Sequence, residues 1–262
     1  MDYSHYRSIK VERQGRLLTL TLNRPEVLNA VDGQMQLELA QIFYDVNLDQ
    51  DVDVVMLTGA GKAFSAGGDI NWLGETTDAG TSPSTLDGKR VVFGLLDLEK
   101  PIIAKLRGPC VGLGATVALL CDIIIASDDA RIGDPHVKVG IVAGDGGAVI
   151  WPQLIGYAKA KEYLMTGDLI GAVEAERIGL INHVVPESDL DAKAQAIADK
   201  LLRGATLAIR YTKVATNIGL KMVAQAVMDA SVAYETVTFH SQDHREAVAA
   251  FREKRRPIFT GK

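Results

Sequence analysis

Two glycine-rich segments hold the residues with most to offer chemically. The first is Gly59-Ala60-Gly61-Lys62-Ala63-Phe64-Ser65-Ala66-Gly67-Gly68-Asp69-Ile70. The second is Gly108-Pro109-Cys110-Val111-Gly112-Leu113-Gly114-Ala115-Thr116. Each follows a β-rich run and leads into a helical pattern. The first N–H groups of a helix have no intrahelical partner, and that end carries partial positive charge. Two such turns aimed at one point would hold a developing oxyanion with main chain alone. Tight strand–helix turns explain the same glycines without any ligand, and composition alone does not choose. Neither segment reproduces G-x-x-x-x-G-K-[ST] or G-x-G-x-x-G, so nucleotide-phosphate binding is not indicated.

A second constellation is His136 in Ile132-Gly133-Asp134-Pro135-His136, followed nine positions later by Asp145 in Ala143-Gly144-Asp145-Gly146-Gly147. An imidazole of ordinary pKa near 6.5 suits a general base, and an aspartate on its far nitrogen would fix the tautomer. The plain alternatives are that Asp134 satisfies His136 in a turn, and that Asp145 caps a helix beginning at Gly146. Asp122 reads as structural at the start of a buried strand, and Glu162 and Glu235 read as helix-surface residues. His240 and His244, one helical turn apart, are half of a metal site with no third ligand in view. Trp72 and Trp151 read as packing residues.

Elements to position these groups are visible. Leu17–Leu22, Val52–Thr58, Ile102–Leu106 and Ile123–Ala126 have strand character. Helical patterns run from about Asp32, a candidate N-cap, to Asp45, from Leu86 to Leu98 and from Leu113 to Leu120. This alternation predicts an α/β fold with mostly parallel strands. Beyond about Ala158 one short strand, His183–Val185, precedes helices near Leu190–Arg203, Leu207–Thr216, Lys221–Ser241 and Asp243–Glu253. The Gly/Thr/Ser/Asp-rich stretch Gly74–Gly88 is a candidate flap beside a site.

The 262 residues suffice for one large α/β domain, and 47% apolar residues supply its core. A net charge of −5 argues against a generic nucleic-acid binder. Only two cysteines, Cys110 and Cys121, each in an apolar run, fit a reducing compartment. The N-terminus has no apolar signal core and no apolar run is long enough to cross a bilayer, so a cytoplasmic chain without membrane contact is expected.

Asn23-Arg24-Pro25 with Asn29-Ala30, Lys62 through Ile70, Gly108 through Gly114 with Cys121-Asp122, and the tail Phe251-Arg252-Glu253-Lys254-Arg255-Arg256-Pro257 together resemble the crotonase, or enoyl-CoA hydratase/isomerase, superfamily. The resemblance spans nearly the whole chain. It implies an α/β crotonase spiral of ββα units over residues 1–200, a helical oligomerisation region over 201–262, and a homotrimer or a hexamer built from two trimers. It implies an acyl-CoA thioester as substrate, with coenzyme A carried on that substrate and no separate cofactor or metal. By position, Gly68 and Leu113 would donate the two oxyanion N–H groups. Arg24, Val27, Ala30, Lys62 and Ala66 would line the coenzyme A cleft, and Phe259 and Lys262 would reach a neighbouring subunit's ligand.

The two glutamates that hydratases of this family use fall at Thr116 and His136. Thr116 would then only contact substrate, and efficient hydration by the usual acid–base pair is not expected. Asp134-Pro135-His136, Gly140 through Gly146 and Trp151-Pro152 are similar to the β-diketone hydrolase branch of 6-oxocamphor hydrolase type, in which a His/Asp pair activates water. Three readings follow: an acyl-CoA enzyme acting through a thioester enolate with His136 and Asp145 handling protons, a CoA-independent β-diketone hydrolase, and a non-catalytic acyl-CoA-binding oligomer.

Overall fold

The computed structural model describes residues 1–262, apart from the side chain of Thr85. Successive side chains along a strand point to opposite faces, and here both faces of the main sheet are apolar. Six strands form the main sheet: β1 (Ile9–Gln14), β2 (Leu17–Leu22), β3 (Val54–Gly59), β4 (Ile102–Leu106), β6 (Ile123–Ser127) and β9 (His183–Val185), in that spatial order. β1 and β2 form an antiparallel hairpin; every other pair in this sheet is parallel, with Leu17 opposite Val54 and Leu22 opposite Gly59. A second sheet joins β5 (Pro109–Val111), β7 (Arg131–Gly133) and β8 (Ile170–Gly171).

Leu18, Leu20, Leu22, Val55 and Leu57 face the main core, where they meet α1 (Gly33–Leu48), α3 (Thr85–Asp97), α4 (Leu113–Leu119) and α5 (Gly147–Thr166). Leu17, Val54, Met56, Ile103 and Ile125 point to the other face, which Leu190, Ala194 and Ala198 of α7 (Leu190–Leu202) cover. A sheet buried on both faces reads as nearly continuous apolar runs, which is why β3 and β4 were conspicuous in the sequence.

Asp32 caps α1 as expected, accepting a bond from Met35 N at 2.9 Å. Asp122 is structural: its Oδ2 accepts from Ile102 N at 2.7 Å and pairs with Lys213 at 2.8 Å. The stretch expected as a flap is shorter, because α2 (Ile70–Asp78) runs into it and Ser84 caps α3, leaving 79–84 without helix. The expected break between Thr216 and Lys221 does not occur. A single 34-residue helix, α8 (Thr206–Phe239), passes through Gly219, which has open space around it, and Ala224 and Met228 anchor it in the main core. α8 therefore shares the main hydrophobic core with the strands. α6 (Ala172–Arg177) and α9 (Gln242–Arg252) complete the fold.

Candidate active site

The two glycine turns meet. Gly112 is the N-cap of α4 with φ 56°, a region that L-residues disfavour. A Cβ there would lie 3.5 Å from Gly67 Cα and 3.6 Å from His136 Cε1. The peptide joining Gly67 to Gly68 is anchored by its carbonyl, which accepts from Val31 N at 2.7 Å. A trans peptide sends its N–H the opposite way, so the Gly68 N–H turns from Val31 toward the cavity. The Gly112 carbonyl likewise accepts from Thr116 N at 3.0 Å, leaving the Leu113 N–H at the helix start. Among the described residues neither N–H has a partner. Gly68, Leu113 and His136 all line one cavity.

His136 lies between two carboxylates. Its Nδ1 bonds Asp134, and its Nε2 is 3.4 Å from Asp145 Oδ2. Both sequence alternatives for His136 thus hold at once: Asp134 satisfies one nitrogen and leaves the other for Asp145. Burial opposes the charged ring, but the two aspartates outweigh it and hold His136 protonated well above its ordinary range. This corrects the expectation of a free imidazole base. Asp145 does not cap a helix; α5 starts after Gly146, whose φ is 123°, with no side-chain cap. Its Oδ1 is instead 3.4 Å from Thr116 Oγ1.

Thr116 is fully buried beneath Gly146, and it is absent from the cavity wall. Its hydroxyl is turned to Asp145.

Glu235, read from sequence as a surface residue, lines the cavity from α8 beside Val232, Thr236 and Phe239. Its carboxyl occupies room left by Gly144, where a Cβ would come within 2.6 Å of Oε2. Burial, then the charges of Asp145 and Asp134, push its pKa up to about 8 against the opposing pull of His136. The missed signal was the spacing Met228, Val232, Glu235, Phe239, which sets one carboxylate in an apolar stripe at helical period.

The other expected residues divide. Ala66 lines the cavity mouth and its N–H bonds Leu28 O at 2.9 Å. Val27 and Lys62 are exposed, and Ala30 is buried. Arg24 is committed internally, to Ala30 O, Asp32 and Asp69. Phe259 and Lys262 do not line the cavity of this chain; the Lys262 carbonyl accepts from Gln242 N at 2.7 Å at the start of α9. His244 is buried, with Nδ1 on Val139 O at 2.7 Å and Nε2 on Thr77 Oγ1 at 3.1 Å, whereas His240 is exposed, so the two do not form half a metal site. Trp151 is a core residue; Trp72 lines the cavity.

An α/β body whose two glycine turns present unpaired backbone donors to an apolar cavity, closed by a C-terminal helix, is the crotonase type of fold. The family model for enoyl-CoA hydratase/isomerase matches residues 12–262. The chain is 37% identical over 254 residues to the short-chain-enoyl-CoA hydratase of Clostridium acetobutylicum, covering 95% of this chain and 96% of that protein. It is 35% identical over 258 residues to the crotonyl-CoA hydratase of Syntrophomonas wolfei, covering 98% and 99%. The crystal structure of an enoyl-CoA hydratase/isomerase from Mycobacterium paratuberculosis superposes with a TM-score of 0.89 at 38% identity, over 94% of this chain and 99% of that one. The chain belongs to the enoyl-CoA hydratase/isomerase family. No helix of it is long and apolar enough to cross a membrane.

Proposed function

We propose that this protein is an acyl-CoA enzyme that works through a thioester enolate, with its proton chemistry carried by groups other than the two usual glutamates. The observation that carries the reading is the meeting of the two glycine turns against the His136 ring. A thioester oxygen placed between Gly68 N–H and Leu113 N–H would gain two fixed donors as charge builds on it, each worth roughly 3 kcal/mol in the transition state. Next to that point lie His136, held protonated above its ordinary range with Asp145 3.4 Å from its Nε2, and Glu235, which holds a proton below about pH 8. One ionised and one protonated carboxyl are what addition of water to a double bond, or movement of a proton along the acyl chain, requires.

The expected oligomer is supported by exposed apolar side chains on α8, Tyr211, Ile218 and Met222. A second reading rests on the Asp134–His136–Asp145 chain itself, which could orient water for cleavage of a cyclic β-diketone without coenzyme A.

Isothermal titration with crotonyl-CoA and longer enoyl-CoA esters, followed by turnover assays, tests the first reading. Binding, and a turnover abolished by His136→Gln in a variant that still folds, is the expected result. Absence of binding at millimolar ester defeats it, and ring opening of a cyclic 1,3-diketone under the same conditions would favour the second reading.

A further inference from the structure

Arg24 was expected at the coenzyme A cleft, but its donors point inward. Its Nη1 donates to Ala30 O at 2.6 Å. Its Nη2 lies 3.1 Å from Asp69 Oδ2 and 3.2 Å from Asp32 Oδ2. The two aspartates are the caps of two helices: Asp32 Oδ1 accepts from Met35 N at the start of α1, and Asp69 Oδ1 accepts from Asn71 N at the start of α2. Each uses one oxygen on its own helix and turns the other to the same guanidinium.

Ala30 precedes Val31, and Asp69 follows Gly68. Val31 and Gly68 are joined by a short parallel bridge, Val31 N to Gly67 O at 2.7 Å and Asp69 N to Val31 O at 2.9 Å. That bridge aims the Gly68 N–H. Arg24 therefore grips both chains of the bridge from outside, one residue away on each side. Its planar fork serves a carbonyl through one nitrogen and the carboxylates through the other in a fixed geometry that a flexible lysine ammonium reproduces only in part. Without it, two partly buried carboxylates of like charge would face each other across the bridge.

The geometry points to Arg24 as a positioning residue for the oxyanion donor Gly68, acting through Ala30 and Asp69, and not as a ligand of the coenzyme A phosphates. This inference rests on the oxyanion reading given above. A donor displaced by a fraction of an ångström to 1 Å loses rate rather than affinity, by up to roughly a hundredfold.

The test compares wild type, Arg24→Met and Arg24→Lys by kcat and KM with the best enoyl-CoA substrate, by affinity for free coenzyme A, and by the infrared band of bound butyryl-CoA labelled with 13C at the thioester carbonyl. Arg24→Met should lose roughly 10- to 100-fold in kcat, keep KM and coenzyme A affinity within about threefold, and move the carbonyl band back toward its position in water. Arg24→Lys should recover part of both losses. If Arg24→Met does not fold, Asp69→Asn serves instead, because asparagine still caps α2 while giving up the ion pair. Weakened coenzyme A binding with kcat and the carbonyl band intact would overturn the assignment. So would a band shifted in wild type and equally shifted in Arg24→Met. A wild-type band no different from that in water would fail one step earlier, at the oxyanion reading itself.

Discussion

Replacing Glu235 by glutamine should make the protein more stable and less active, and the gain in stability should grow with pH. In the folded chain this carboxyl keeps its proton up to about pH 8; its ordinary value is 4.5. Between those two pH values the unfolded chain has released a proton that the folded chain still holds. Wild-type stability therefore falls as pH rises through this window. Each pH unit corresponds to about 1.4 kcal/mol, so the whole window sets an upper bound of about 5 kcal/mol. The carboxyl shares its field with Asp145, Asp134 and His136, and such groups exchange protons as a set, so about 2–4 kcal/mol is the expected difference. Glutamine has the same shape and does not titrate. Urea unfolding of wild type and Glu235→Gln at fixed protein concentration, from pH 4.5 to 8.5, should give curves that diverge up to pH 8 and then run parallel. Turnover of an enoyl-CoA substrate should fall by roughly 10²–10⁴ if the carboxyl is the acid. A stability difference that does not change with pH would refute the placement of a protonated Glu235 in the cavity.

Two further outcomes follow from the packing around Asp145. Thr116→Glu, which restores one hydratase glutamate by sequence, should not restore hydration: the position is fully buried beneath Gly146 and beside Asp145, so the added carboxylate should lower stability by about 2–3 kcal/mol, read by thermal unfolding, with no rise in crotonyl-CoA hydration. Gly146→Ala should lose about 2–4 kcal/mol, because φ is 123° and the new methyl would lie 2.6 Å from Thr116 Cγ2 and 2.8 Å from Val92 Cγ2; a variant that melts at the wild-type temperature would contradict this backbone geometry.

The strands and the glycine turns were legible because their signals are local. Apolar runs ending at Gly59 and Gly108 mark β3 and β4, and Asp32 announces α1 one residue before it starts. What escaped was set by distant contacts. A helix break was expected between Thr216 and Lys221, yet tertiary packing of Ala224 and Met228 carries α8 straight through Gly219, since burial outweighs the roughly 1 kcal/mol cost of a helical glycine. Glu235 has no chemical neighbour in sequence; only the path of α8 brings it to Asp145. Arg24 matched its family position, but nothing local shows that two helix caps converge on it. His136 was found, and its charge state was not, because that depends on Asp134 and Asp145 flanking the ring together.

With Thr116 and His136 standing where the resemblance would put the hydratase glutamates, a crippled site is the first expectation, and the charges argue otherwise. Asp134, Asp145 and Glu235 are three carboxyl groups around one imidazolium. Burial and the neighbouring Asp145 and Asp134 oppose ionisation of Glu235, and the His136 cation offsets them only in part. The proton therefore stays on the carboxyl with no cation against it. Asp145 has His136 at 3.4 Å and Asp134 is bonded to the ring's other nitrogen, whereas Glu235 feels His136 only at longer range. Geometry thus distinguishes Glu235 from the two aspartates that flank the imidazole. A reaction needing an ionised and a protonated carboxyl would find both, one from the loop before α5 and one from α8. Since α8 also carries the exposed apolar face expected at the subunit interface, assembly and acid placement would depend on the same helix, so apolar-to-charge changes at Ile218 or Met222 should weaken turnover together with oligomerisation.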